Sequence, residues 1–185
     1  HVDVAAIVTT ANDGGSSGEL RRAFGIAAPG DVRNCLVALA PGQNPLAELF
    51  QHRFGGEGGL AGHTVGNLVL TALAQRCGDF DTAVHSAARL LGVRGRVLPS
   101  TSTAVQLVAT LTDGRVVRGE SGLAAAGGRV DRVELDPRPA ASTAAVDALK
   151  DMGFKPFIVA AMGSHGGATA DGQRALLASY GVTAE

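Results

Sequence analysis

Apolar residues along this chain follow two patterns, a continuous run typical of a buried strand and a spacing of three to four residues typical of a helix. The first run, residues 4–10, is rich in β-branched side chains and predicts a buried strand. Helical spacing follows in five later segments, which we predict as helices: residues 31–40, 45–54, 64–76, 81–91 and 142–152.

The second half of the chain adds predicted strands of a different kind. Residues 105–112 and 115–118 alternate around Asp113-Gly114, which predicts a hairpin with a type I′ turn. Residues 130–135 predict a short strand, and residues 155–162 a buried strand before a glycine loop and a last helix. Together these elements predict an α/β fold: a three-layer, Rossmann-like, mainly parallel sheet with a small antiparallel hairpin insertion.

A small, polar, glycine-rich loop at residues 11–18 (ANDGGSSG) links the first predicted strand to a short helical pattern. This arrangement brings several backbone N–H groups together at a helix start, where the potential is positive. The loop therefore suits a phosphate or a carboxylate. A purely structural interpretation stays open, because Ser16 and Glu19 fit a capping box and Gly14-Gly15 suits a tight turn.

Two further helix openings carry polar residues, at residues 29–36 (PGDVRNCL) and 62–67 (GHTVGN). We predict Asp31 as the N-cap of the first, so that Arg33 and Asn34 project from its first turn. Each opening alone also fits an ordinary capped helix. Three such openings in one α/β chain favour a shared ligand cleft.

Composition narrows the function classes. The 185 residues are long enough for one domain, and the net charge of -1 gives no reason to expect nucleic acid as a partner. No basic run indicates a membrane surface, and no apolar run approaches the roughly 18 residues that span a bilayer. Cys35 and Cys77 lie in helical apolar patterns, which predicts buried thiols rather than a disulfide. With no signal-peptide pattern, we expect a cytoplasmic protein. Whether the chain forms a homo-oligomer is left open.

The motifs taken together resemble the gluconeogenesis-factor (YvcK) family and, more distantly, the 2-phospho-lactate transferases (CofD). The resemblance covers about residues 2–148. That family usually has an earlier Gly-Gly-Gly-Thr-Gly nucleotide loop, a later Gly-Pro-Gly-Ser loop, and an aspartate where this chain has Asn12. Relative to the family pattern we therefore expect a fragment shortened at both ends. The motifs that carry the resemblance are residues 6–9, 12–18, 29–36, 50–54, 62–68, 94–99 and 119–121.

The resemblance implies a regulatory protein that binds a phosphate-bearing small molecule such as a UDP-sugar and acts in carbon metabolism and cell-shape control. In this interpretation Ser16 and Ser17 hold phosphate oxygens, Arg33 adds a bidentate charge, and Asp13 takes Mg²⁺ or a ribose hydroxyl. A 2-phospho-lactate transferase activity is the enzymatic alternative, and Asn12 argues mildly against it because a metal needs carboxylates. The candidate ligand-binding residues are Asp13, Gly14, Gly15, Ser16, Ser17, Asp31, Arg33, Asn34, His63 and Asn67.

The last stretch, about residues 149–183, resembles instead a segment of the lactate-racemase-like (LarA-like, nickel-pincer) family. In that family the histidine matching His165 looks like a proton-transfer residue, although the residue taken alone favours a hydrogen-bonded loop imidazole. We therefore expect a gluconeogenesis-factor-like fragment at 1–148 and a racemase-like strand-loop-helix fragment at 149–185, packed on the same domain. The junction would lie between residues 142 and 153. A nickel-enzyme fragment, or a chimera with no tight ligand, remains an alternative.

Overall fold

The computed structural model describes residues 4–137 and 143–153. The predicted strand at 155–162, the helix after it and His165 lie outside the described residues. The described elements are, in chain order, β1 (Ala5–Val8), α1 (Gly15–Phe24), α2 (Gly30–Leu39), α3 (Pro45–Gln51), α4 (Val65–Cys77), α5 (Phe80–Leu91), β2 (Arg96–Pro99), β3 (Gln106–Leu111), β4 (Val116–Arg118), α6 (Glu120–Ala126), β5 (Val130–Asp136) and α7 (Thr143–Asp151).

Two separate sheets make up the β-structure of the described residues. β1 and β2 pair in parallel, from Ala5 opposite Arg96 to Val8 opposite Pro99. The other sheet is antiparallel with strand order β4-β3-β5. The α/β class is therefore confirmed, and the antiparallel part is larger than the predicted hairpin because β5 pairs along the whole length of β3.

The turn between β3 and β4 is not the predicted type I′ turn. A type I′ turn needs a positive φ at both central residues. Among the described residues outside glycine only Gln43 has a positive φ, so Asp113 does not, whereas Gly114 lies at 86°. The Leu111 carbonyl accepts from the Gly114 N–H at 2.9 Å, which makes this a three-residue loop with glycine in its left-handed position. The Asp113 carboxylate accepts from the backbone of Arg115 instead.

The hydrophobic core lies where α2, α3, α4 and α5 pack around the β1–β2 pair. Its largest fully buried side chains include Leu36, Phe50, Leu70 and Leu91. The prediction of buried thiols is only partly right. Cys35 and Cys77 are free but half-buried. Burial, with a smaller contribution from the charge of Asp31, raises the pKa of the Cys35 thiol.

Side-chain caps define where three of the helices begin. Asn44 accepts from the backbone of α3, Thr64 from that of α4 and Asp79 from that of α5. These starts agree with the predicted helices to within one residue, whereas α3 ends at Gln51, earlier than predicted. β2 and α6 were not predicted as elements. No helix in the described parts of the chain is long and apolar enough to cross a membrane.

The Asp79 cap offers a direct test of this helix start. Asp79 Oδ1 accepts from the Thr82 backbone N–H at 2.7 Å, and this hydrogen bond holds the pKa of Asp79 below its usual value. Because the folded-state pKa is lowered, the stabilisation is fully present above the unfolded-state pKa of about 3.9. It is lost as the pH falls through the lower folded-state value. We expect Asp79→Ala to reduce the free energy of unfolding by about 1 kcal/mol at pH 7, measured by urea denaturation.

Asp79→Asn is the matched control, since an amide oxygen caps equally well but does not titrate in this range. It should keep most of the stability at pH 7 and show a weaker loss at low pH than the parent chain. Equal stability of the alanine variant and the parent would show that this cap contributes nothing.

Candidate functional site

The first polar helix opening is built differently from the predicted capping box. α1 begins at Gly15, its N-cap is Gly14, and no side chain caps it. Ser16 lies inside the first turn and is buried, with its Oγ 2.9 Å from Nδ1 of His63. Glu19 reaches the other ring nitrogen, with Oε2 3.2 Å from Nε2. The capping-box prediction is therefore wrong, because both side chains contact His63 rather than the α1 backbone.

The N-cap prediction for the second opening is also wrong. α2 begins at Gly30 with Pro29 as its N-cap, so Asp31 lies in the first turn and makes no cap hydrogen bond. A carboxylate there still interacts favourably with the positive end of the helix. Arg33 comes two residues after Asp31 in the same helix, and only 5% of its surface is exposed. Its Nη2 donates to Asn34 Oδ1 at 2.6 Å, while its Nε and Nη1 are buried without a partner in the described structure.

The third opening, at the start of α4, is connected directly to the first. Asn67 is 2% exposed, and its Nδ2 donates to Ser16 Oγ at 2.9 Å and to Ser17 Oγ at 3.5 Å. Its backbone N–H donates to the N-cap hydroxyl of Thr64. The Oδ1 atom of Asn67 has no partner among the described residues. This amide therefore joins the starts of α1 and α4 and has one acceptor left unused.

The three openings meet at one cavity of about 180 Å³. It includes eight of the ten predicted ligand-binding residues; Asp13 and His63 do not line it. Arg53, just after α3, lines the cavity and was not predicted as a site residue. Its only signal in the sequence was its place in the motif at residues 50–54. The lining residues are Gly14, Gly15, Ser16, Ser17, Gly30, Asp31, Arg33, Asn34, Arg53 and Asn67.

Arg33 dominates the electrostatics of this cavity. Burial, and then the positive charge of Arg53, lower the pKa of Arg33, and Asp31 acts in the opposite direction. An arginine nevertheless stays protonated at neutral pH. A buried cation with two unpartnered nitrogens is costly unless an anion or an acceptor meets it. The cavity therefore has the charge and the donors of an anion site.

Asp13 is used in a structural contact. Its Oδ1 accepts from both the backbone N–H and the hydroxyl of Ser121, each at 3.1 Å. Gly119 packs against the same carboxylate with φ of 80°, and a Cβ there would lie 1.8 Å from Asp13 Oδ2. Glycine is required at this position on both grounds. Asp13 thus connects the glycine-rich loop to the start of α6.

These contacts bear on the magnesium prediction for Asp13. Asn12 Oδ1 accepts from the Gly14 N–H at 2.9 Å, so it too is engaged locally. No group of three or more His, Cys, Asp or Glu side chains in the described residues is arranged to hold a metal ion. Magnesium is often held by one or two carboxylates together with ligand phosphates, so Asp13 as a magnesium ligand stays a prediction.

Most of this chain matches a known protein family. Residues 1–165 match the family model described as 2-phospho-L-lactate transferase CofD. The chain belongs to this family. The CofD match ends at His165. It therefore runs through residues 142–153, where we predict a junction between two families. It therefore gives no support to the predicted change of family or to a racemase-like fragment.

Individual relatives of the CofD-family chain agree with this assignment. The gluconeogenesis factor of Bacillus subtilis is 49% identical over 136 residues, covering 74% of this chain and 43% of that protein. The gluconeogenesis factor of Halalkalibacterium halodurans is 46% identical over 137 residues, covering 74% and 42%. The crystal structure of protein BH3568 from Bacillus halodurans superposes with a TM-score of 0.76 at 43% identity, covering 80% and 48%. The chain spans less than half the length of each of these relatives.

A close approach at Gly66 allows us to test how Arg33 is positioned. A Cβ at Gly66 would lie 2.8 Å from Cγ and Cδ of Arg33 and from Cδ1 of Phe50. We expect Gly66→Ala to displace the arginine and to lower the free energy of unfolding by about 1–3 kcal/mol, as overpacking does. Urea denaturation measures the loss. Gly42→Ala is the control, because a Cβ there meets nothing within 4 Å. Equal effects of the two variants would contradict this packing role.

Proposed function

We propose that the cavity binds the phosphate groups of a sugar nucleotide such as a UDP-sugar, as part of a regulatory protein of the gluconeogenesis-factor type. The observation that carries this proposal is the buried guanidinium of Arg33, a residue that lines the cavity and whose Nε and Nη1 have no hydrogen-bond partner in the described structure. A dianionic phosphate supplies both the charge and the acceptors that this group lacks. The chain spans less than half of its relatives, so the whole protein's role in carbon metabolism and cell shape belongs to the same proposal.

Backbone geometry supports a phosphate rather than a cation. The first N–H groups of α1 and α2 have no acceptor within their own helices. Gly14, Gly15 and Gly30 line the cavity where these helices begin. Helix starts of this kind attract phosphate through their N–H groups and their positive potential. Ser17 adds a hydroxyl, and Arg53 adds a second cation.

The cavity size indicates which part of the ligand it accepts. Sites that enclose a whole small molecule measure roughly 300–1,000 Å³. A volume of about 180 Å³ is smaller. We therefore place the phosphate groups in this cavity and the base and sugar outside it. Asn34 is exposed at the rim, where it can contact a sugar or ribose hydroxyl.

A transferase activity of the kind named by the family model is the second candidate. The observation that favours it is the Asp31 carboxylate, which lines the same cavity as Arg33 and Arg53. A carboxylate there can accept the hydrogen of an incoming hydroxyl while the arginines neutralise phosphate charge. Release of a nucleotide product from a nucleotide-linked donor, seen only when an acceptor alcohol is present, would favour this candidate over a regulatory binder.

Removal of Arg33 tests the proposed function. We expect Arg33→Ala to weaken UDP-glucose binding by about 1.5–3 kcal/mol, the range for hydrogen bonds to charged groups. Arg33→Lys should recover only part of this, because lysine lacks the planar fork. Isothermal titration calorimetry with UDP-glucose measures both. Arg89→Ala is the control, since Arg89 lines a separate groove between α4 and α5.

Unchanged affinity in both Arg33 variants would remove this arginine from the site. Inorganic diphosphate serves as a second titrant. If it binds through Arg33 and UDP-glucose does not, the cavity is an anion site and the sugar-nucleotide assignment is wrong.

A further inference from the structure

A chain of two hydrogen bonds and one ion-pair contact leads away from the cavity behind Ser16. Asn67 Nδ2 lies 2.9 Å from Ser16 Oγ, Ser16 Oγ lies 2.9 Å from His63 Nδ1, and His63 Nε2 lies 3.2 Å from Glu19 Oε2. Ser16, His63 and Asn67 are all buried, and Glu19 is exposed. Four side chains, from two helices and the loop before α4, thus form one continuous series of contacts that includes the Ser16 hydroxyl.

The chemistry of the partners fixes the direction of these bonds when the imidazole is neutral. The Asn67 amide nitrogen can only donate, so Ser16 Oγ accepts from it. The Glu19 carboxylate can only accept, which favours the ring hydrogen on Nε2 of His63 and leaves Nδ1 as an acceptor. The single hydrogen of Ser16 therefore points to His63 Nδ1. This is the tautomer that can remove the hydroxyl proton.

Phosphate binding alone does not account for this arrangement. His63 does not line the cavity. It contacts Ser16 Oγ, and through this hydroxyl it can act on a molecule bound in the cavity. The neighbouring Ser17 lines the same cavity, and its only side-chain hydrogen bond in the described structure is the 3.5 Å contact from Asn67. A hydroxyl hydrogen-bonded to an imidazole, which a carboxylate orients in turn, is the general arrangement of an activated serine.

We propose that Ser16 is a nucleophile toward phosphorus, with His63 as its base and Glu19 as the residue that positions His63. This inference rests on the proposed function, because the substrate is a phosphate or diphosphate ester held in the cavity. Ser16 Oγ forms a bond to phosphorus, its proton moves to His63 Nδ1, and the bond from phosphorus to the ester oxygen breaks. His63 returns the proton to the departing oxygen. Water then cleaves the phosphoserine, giving its hydroxyl to phosphorus and a proton back to Ser16.

The surroundings of Ser16 suit this step. Charge that builds up on the phosphoryl oxygens lies near Arg33 and the first N–H groups of α1, which are already in place. Asn67 occupies one acceptor position of Ser16 Oγ, and the other remains for attack. The glycines on either side of the cavity add no side chain that would block the approach.

A tagged fluorophosphonate tests the nucleophile without knowledge of the natural substrate. In the expected reaction Ser16 Oγ bonds to phosphorus and fluoride leaves. Intact mass should show one adduct, and peptide mapping should place it on Ser16. Ser16→Ala should abolish the adduct, while Ser86→Ala, in the separate groove between α4 and α5, should retain it. His63→Gln should slow labelling by on the order of 100-fold or more, the range for loss of a general base.

Glu19→Gln provides the readout for positioning. It keeps the side-chain size but removes the charge that stabilises the imidazolium formed during labelling, so it should slow labelling of Ser16. Glu19→Asp keeps the charge and should restore part of the rate, a rescue that a merely structural contact would not give. Thermal unfolding and UDP-glucose titration of every variant confirm that each is folded.

The outcomes separate the two proposals. UDP-glucose binding without labelling of Ser16 above the Ser16→Ala background would overturn the nucleophile and leave the proposed function intact. Labelling that is equal in the parent and in a folded His63→Gln variant would also overturn it. Histidine-dependent labelling of Ser16 in a chain that does not bind UDP-glucose would support the nucleophile and overturn the sugar-nucleotide assignment.

Discussion

The burial of the Arg33 guanidinium is the constraint on which the candidate site depends. Moving an unpaired charge from water into the interior costs several kcal/mol even after relaxation. The chain places this cation at 5% exposure with one neutral acceptor, Asn34 Oδ1. Gly66 provides the space in which its methylene groups lie against α4. The fold therefore keeps a charge in an unfavourable position, as proteins do where a ligand compensates for it.

Around this cation the described elements are joined by a small number of polar contacts. Asn67 connects α4 to α1 through Ser16, and Asp13 connects the glycine-rich loop to Ser121. Arg21 on α1 donates to the carbonyl of Val105, directly before β3. Buried polar networks of this kind fix one geometry because an unmade bond is costly in a low dielectric. The helix starts are thus held together by side chains distant in sequence.

Helix positions depend on local residue pattern and could be predicted from the sequence. Short strands and side-chain contacts depend on residues distant in the chain and could not. Apolar spacing locates the starts of α3 and α4 to within one residue, since this signal acts within a few turns of one helix. β2 has only four residues and becomes a strand through its pairing with β1, about 90 positions earlier in the chain. The capping prediction for Ser16 failed for a similar reason, because its partner His63 is 47 residues away.

The two serines of the loop illustrate how far local sequence can assign chemistry. Both were predicted to hold phosphate oxygens, and both line the cavity. A hydroxyl has one hydrogen, however, and that of Ser16 is engaged by His63 when the ring is neutral. Ser16 cannot then donate to a phosphate, whereas Ser17, whose Oγ is not hydrogen-bonded to a histidine, can. In the proposed reaction, adjacent serines in one glycine-rich loop therefore have different roles, Ser17 as a donor to the anion and Ser16 as the group that attacks it.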